Sequence, residues 1–164
     1  MKNILVLLGL TIGGFVGYKT AYAVSLKNFK VSEFRGEHIF LSTKLLKKLD
    51  KFREQLGERI IVSPAKGSMF LNNERENNSQ HFLGKAIDIM LPDTTDLERA
   101  YTIAKNVGFT GIGFYPHWKP YKGFHVDVRE SDGHVSTWSG INPDGKGQRY
   151  VGLWEGLSYV SKDR

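Results

Sequence analysis

Phe124-His125-Val126-Asp127-Val128-Arg129 alternates apolar and ionisable side chains along its whole length. In a β-strand this sends Phe124, Val126 and Val128 to one face and His125, Asp127 and Arg129 to the other. The first set suits a core, and the second needs water or a site. Ala86-Ile87-Asp88-Ile89-Met90 reads as another strand, ended by Leu91-Pro92. Asp88, flanked by Ile87 and Ile89, is costly to bury ionised unless a cation or several donors satisfy it.

Working outward, Gly111-Ile112-Gly113-Phe114-Tyr115 predicts a strand joined to the first by an aromatic turn containing Pro116 and Pro120, and Arg59-Ile60-Ile61-Val62-Ser63 predicts a short strand closed by Pro64. Ser42 is a plausible N-cap for a helix with Leu45, Leu49, Phe52 and Leu56 at helical spacing, and Gly57 can end it. Thr95 and Glu98 have capping-box spacing before a second helix through Leu97, Ala100, Tyr101, Ala104 and Val107, ended by Gly108. Lys66 to Gln80 is polar and Asn-rich, which predicts a long surface loop. The tail, from Val135 through a Gly-rich turn to Trp154, carries strand and turn character. These elements predict an α+β domain with a small, mostly antiparallel sheet and helices packed on one side.

The N-terminal segment stands apart from that domain. A basic start at Lys2, an apolar run from Ile4 to Val16 and the triplet Ala21-Tyr22-Ala23 form the pattern of an export signal with an A-x-A cleavage site. Two readings are open for residues 1–23, a signal peptide or an uncleaved N-terminal membrane anchor, and both place residues 24–164 outside the cytoplasm as a single domain. The chain has no cysteine, which excludes disulfides, thiolate zinc sites and cysteine nucleophiles, so any metal must be held by His, Asp or Glu. The net charge of +6 favours an anionic partner without choosing one. The basic face of the first helix, with Lys44, Lys47, Lys48 and Lys51, reads as solvation, and no nucleic-acid partner is expected.

Chemistry gathers in Ser79-Gln80-His81-Phe82-Leu83-Gly84-Lys85-Ala86-Ile87-Asp88 and in the strand holding His125, Asp127 and Arg129. A His, an Asp and a second His can supply three ligands to one zinc, leaving a fourth position for water, as in hydrolytic zinc sites. His38, His117 and His134 read as surface residues. The ring cluster Phe114, Tyr115, Trp118 and Tyr121 reads either as core packing or as one wall of a cleft.

The pattern Ser79-x-His81-x-x-Gly84-x-Ala86-x-Asp88, followed by Phe124-His125-x-Asp127, resembles the zinc peptidases of the D-Ala-D-Ala carboxypeptidase type, which share a fold with the lysostaphin and sonic hedgehog zinc domains. Gly111-Ile112-Gly113-Phe114-Tyr115-Pro116 is similar to the stretch before the last ligand in the branch of murein endopeptidases and phage-borne wall hydrolases. The resemblance runs from about Phe29 to Trp138. It implies that His81, Asp88 and His125 bind one zinc ion and that the chain hydrolyses amide bonds in peptidoglycan.

Two departures from the pattern bear on mechanism. Many members carry an acid three residues before the last ligand, where this chain has Lys122. Asp127 is the substitute candidate, either as the catalytic base or as a partner holding the His125 ring. The usual Ser-Gly-Tyr-Arg stretch is replaced by Ser63-Pro64-Ala65-Lys66-Gly67-Ser68, so substrate contacts are assigned instead to Arg75, Arg129 and Tyr115. A non-catalytic, zinc-stabilised wall-binding domain is the alternative reading, and Lys122 is its best support. Oligomeric state is not set by the sequence.

Overall fold

The computed structural model describes residues 24–70 and 78–161. The leader expected over residues 1–23 and the substrate candidate Arg75 lie outside the described residues. No described helix is long and apolar enough to cross a membrane.

Among the described residues the strands are β1 (Ile61–Val62), β2 (Ala86–Leu91), β3 (Gly111–Tyr115), β4 (Lys122–Asp127), β5 (Ser136–Ile141) and β6 (Arg149–Val151). They form one sheet in the order β1-β2-β4-β3-β5-β6. Every neighbouring pair is antiparallel except β3 with β5, which is parallel. The helices are α1 (Thr43–Leu56), α2 (Leu97–Val107) and α3 (Leu153–Ser161). This is the expected α+β architecture.

The helices cover the sheet face bearing Ile87, Ile89, Ile112, Phe114, Phe124 and Val126, all buried. Helix α1 buries Leu45, Leu46, Leu49, Phe52 and Leu56. Its Phe52 ring stacks on Phe124 of β4, with centroids 6.0 Å apart, and meets Phe109 edge-on. A buried Phe contributes roughly 1.5–3 kcal/mol of transfer free energy, so this stack anchors α1 over the strand that carries His125. The Ser42 hydroxyl accepts from the Leu45 N–H at 3.3 Å, and Gly57 closes the helix in the left-handed region at φ 69°.

Helix α2 starts differently from the capping-box expectation. Its cap is Asp96, whose carboxylate accepts from the Arg99 N–H at 3.0 Å. Thr95 is buried, and its hydroxyl donates to Glu58 at 2.6 Å. Thr95 is thus drawn into a tertiary bond that its spacing to Glu98 does not reveal. Arg99 binds the same carboxylate at 3.1 Å and the Leu56 carbonyl at 2.8 Å, satisfying an orphan group at the end of α1.

Three other expectations are corrected. The segment after β1 is not wholly a surface loop. Ser68 and Met69 are buried, because the Asp88 N–H donates to the Ser68 carbonyl at 2.7 Å where β1 has already ended. Strand β4 begins and ends two residues earlier than predicted, since the Arg129 N–H turns to the Asp127 carboxylate at 3.1 Å. The tail forms the expected strands as β5 and β6, but Leu153 and Trp154, expected to continue the last strand, open helix α3 instead. Its Gly156 lets the helix lie against Ser139, where a Cβ would collide with that side chain. The Ser139 hydroxyl donates to the Leu153 carbonyl at 3.1 Å.

Candidate metal centre

The face of the sheet away from the helices carries the polar residues, and strand register puts them in rows. Asp88 on β2 pairs directly with His125 on β4, His125 with Gly113 on β3, and Gly113 with Trp138 on β5. The next row is Ala86, Asp127, Gly111 and Ser136. Asp88 and His125 therefore meet because two antiparallel strands share a register. The expected alternation on β4 sends Phe124 and Val126 to the core and His125 and Asp127 to this face.

His81 arrives from the turn that precedes β2. Gly84 makes the turn possible at φ +64°, where a Cβ would fall onto the Phe40 carbonyl oxygen. The Gly84 N–H donates to the His81 carbonyl at 3.1 Å, and its own carbonyl accepts from the Ser42 N–H at 2.8 Å. The start of α1 thus fixes the turn that aims His81 at β2.

The three side chains converge through single atoms. His125 Nδ1 lies 2.8 Å from Asp88 Oδ1, His81 Nε2 lies 3.2 Å from His125 Nδ1, and His81 Nε2 lies 3.4 Å from Asp88 Oδ1. A tetrahedral ion with nitrogen and oxygen donors at about 2.0–2.1 Å has donor–donor edges of about 3.3–3.4 Å, close to this triangle. The electrostatics agree with that fit. Burial works against a charged His125, yet its bonds to the Asp127 and Asp88 carboxylates outweigh this and raise its pKa. Burial likewise pushes the Asp88 carboxyl up, and hydrogen bonds from His125 and His81 more than reverse it. Both shifts favour positive charge between these groups, which is what a divalent cation held there would supply.

Asp127 stands behind His125. It is fully buried, accepts from His125 Nε2 at 3.1 Å and from Arg129 Nε at 2.9 Å, and lies 2.5 Å from Arg129 Nη2. Burial alone would raise its pKa; the His125 and Arg129 bonds instead hold the carboxyl well below the usual range. Gly111 makes room for this carboxylate, since a Cβ there would overlap it.

A cleft of about 560 Å³ opens over the triangle, lined by His81, Asp88, His125, Tyr115, Arg129, Trp138 and Tyr150, with Asn78, Ser79 and Gln80 on the loop side. The cleft thus gathers the ligand candidates with Arg129 and Tyr115. The ring cluster divides. Phe114 is buried in the core, whereas Tyr115 faces the cleft and stacks on Trp118 with centroids 4.4 Å apart. Lys122 pairs with Asp93 at 2.7 Å and does not line the cleft. The His117 ring accepts from the Asn142 N–H at 3.0 Å, which ties it to a loop.

Trp138 and Tyr150 were not among the residues assigned to the site from sequence. The available signal was glycine inside strands, which marks close approach of another group. A Cβ at Gly113 would lie 2.5 Å from the Trp138 ring, and one at Gly140 would lie 2.5 Å from the Tyr115 ring. Gly113→Ala is therefore expected to lower stability by about 1–3 kcal/mol through forced displacement of Trp138. Urea denaturation, with Trp fluorescence as the readout, measures it.

A family model described as Peptidase M15 matches residues 21–127, well over half of the 164-residue chain. No curated protein and no solved structure matches. The matched segment contains His81, Asp88, His125 and Asp127, while Arg129, Trp138 and Tyr150 lie beyond it.

Proposed function

The chain belongs to the peptidase M15 family, whose members are zinc-dependent, and from that premise we propose that it is an exported peptidase hydrolysing amide bonds in peptidoglycan stem peptides or cross-links. The observation that carries this reading is the convergence of His81 Nε2, Asp88 Oδ1 and His125 Nδ1 at the floor of a cleft. The leader pattern over residues 1–23 supports export as a signal peptide, or attachment to a membrane as an anchor. The basic balance suits an anionic wall polymer.

His81, Asp88 and His125 would hold the zinc ion. When bound, zinc polarises a carbonyl and makes a water molecule acidic enough to attack near neutral pH. The protein's own side chains do the rest. Asp127 accepts a hydrogen bond from the His125 Nε2–H, which leaves the Nδ1 lone pair of the ring to face the cleft. Arg129 neutralises Asp127, and the Tyr115 ring, braced by its stack on Trp118, gives the substrate a rigid wall.

One observation favours the second reading, a zinc-stabilised domain that binds the wall without cutting it. Among the described residues, Asp88 is the only carboxylate lining the cleft, and Lys122 occupies the usual position of the acid. Digestion of isolated peptidoglycan, with mass spectrometry of the released muropeptides, separates the two. A zinc peptidase is expected to release fragments ending at a hydrolysed amide, to stop on chelation and to resume when zinc returns. A binder cosediments with the wall and releases nothing.

A further inference from the structure

We propose that the Tyr115 hydroxyl is a catalytic hydrogen-bond donor to the amide oxygen that gains negative charge as the scissile bond is attacked. The proposal rests on the peptidase reading above.

The ring is held on three sides. It lies over Gly140, where a Cβ would be 2.5 Å away, and it stacks on Trp118, which itself covers Gly123. Trp138 Nε1 donates to the Tyr115 oxygen at 3.1 Å. Trp138 in turn lies over Gly113, with its ring centroid 5.1 Å from that of His125. Three glycines on three strands thus let three rings settle against the sheet and bring a phenol into the cleft with the metal ligands.

A hydroxyl that accepts from an indole N–H has its own proton left to give. Burial raises the pKa of this phenol; the Trp138 bond works against that rise and the charge of Asp88 adds to it, with a net upward shift. The group therefore stays a neutral donor across the working pH range. Its remaining neighbour is the phenol of Tyr150, which is 65% exposed and already accepts from Gln148 Nε2 at 2.9 Å. A substrate carbonyl can accept the Tyr115 O–H hydrogen bond in place of that exposed partner at little cost. Arg129, the cation lining the cleft, directs its Nε and Nη2 to Asp127.

In the step itself, the water oxygen bonds to the carbonyl carbon and the π pair moves onto the carbonyl oxygen. The pair on that oxygen then re-forms the carbonyl as the C–N bond breaks, and the amine leaves with a proton that came from the water. Tyr115 keeps its own proton throughout and stabilises the charged oxygen by a preorganised hydrogen bond, a contribution typically near 10²-fold in rate.

The test uses soluble muropeptides as substrate and a phosphinate analogue of the cleaved amide as ligand. Tyr115→Phe is expected to lower kcat by about 10²-fold and to weaken phosphinate binding in parallel, with KM and zinc affinity unchanged. Trp138→Phe keeps a ring but removes the anchoring N–H, and is expected to lower kcat by about tenfold. A kcat loss below about tenfold in Tyr115→Phe, or a loss expressed in KM or zinc affinity instead, overturns the proposal. A wild-type protein that cleaves nothing is a different failure, that of the peptidase reading itself.

Discussion

Asp88→Asn is expected to leave purified protein with only background zinc and no hydrolytic activity. Asp88 contributes the carboxylate oxygen to the triangle, 2.8 Å from one imidazole nitrogen and 3.4 Å from the other. An amide at this position keeps the volume and loses the negative charge that makes a cation welcome between the two rings, of which His125 is buried and His81 partly so. The effect on metal is separable from the effect on folding. Ligand that binds the native state stabilises it by about 2.7 kcal/mol at a hundredfold excess over Kd, which is on the order of 10 °C in Tm for a domain of this size. Added zinc is therefore expected to raise the Tm of the wild type and not that of Asp88→Asn, while the two melt close together in chelator. Equal zinc-induced shifts in both proteins would remove Asp88 from the metal site.

The parts of this centre differ in how far they could be read from sequence. Alternation places His125 and Asp127 on one face of a strand because side-chain direction there has a period of two, a purely local property. Gly84 is legible in part for a similar reason, since its positive φ is a demand of the turn itself, although the Phe40 carbonyl that a Cβ would strike is remote in sequence. Register is not local. That Asp88 sits opposite His125, and Trp138 two strands further along the same row, depends on how β2, β4, β3 and β5 align. The spaced glycines at 111, 113 and 140 record that alignment, but each describes a clash with a residue distant in sequence. Helix α3 is obscured differently. Leu153, Gly156, Leu157 and Val160 have helical spacing, yet a mid-helix Gly costs about 1 kcal/mol relative to Ala and reads as a turn until Ser139 is seen beneath it. The cap of α2 was displaced by one residue because Glu58, remote in sequence, claims Thr95.

Asp127→Ala is expected to weaken zinc binding by about 10–100-fold and to cost about 3 kcal/mol of stability. Both effects follow from one geometry. The carboxylate is fully buried and shared between His125 Nε2 and Arg129, so its removal frees the imidazole to change tautomer and leaves the guanidinium without its counter-ion. The Arg129 side chain is 32% exposed and can turn partly to water, which puts the stability cost at the lower end for a broken buried pair. Asp127→Asn keeps the volume and one acceptor oxygen, and should fall between the wild type and Asp127→Ala in both measurements. The two roles open to this residue predict different signatures. A general base lost from the cleft lowers kcat by roughly 10²–10⁴-fold and leaves metal affinity alone. A positioning residue lowers metal affinity first, and activity recovers substantially when zinc is raised to saturation. Zinc titration against a competing chelator, read beside kcat at saturating zinc, distinguishes the two. The burial of Asp127 and its saturation by Arg129 favour the second signature, since water in the cleft has no access to a carboxylate whose oxygens are already occupied.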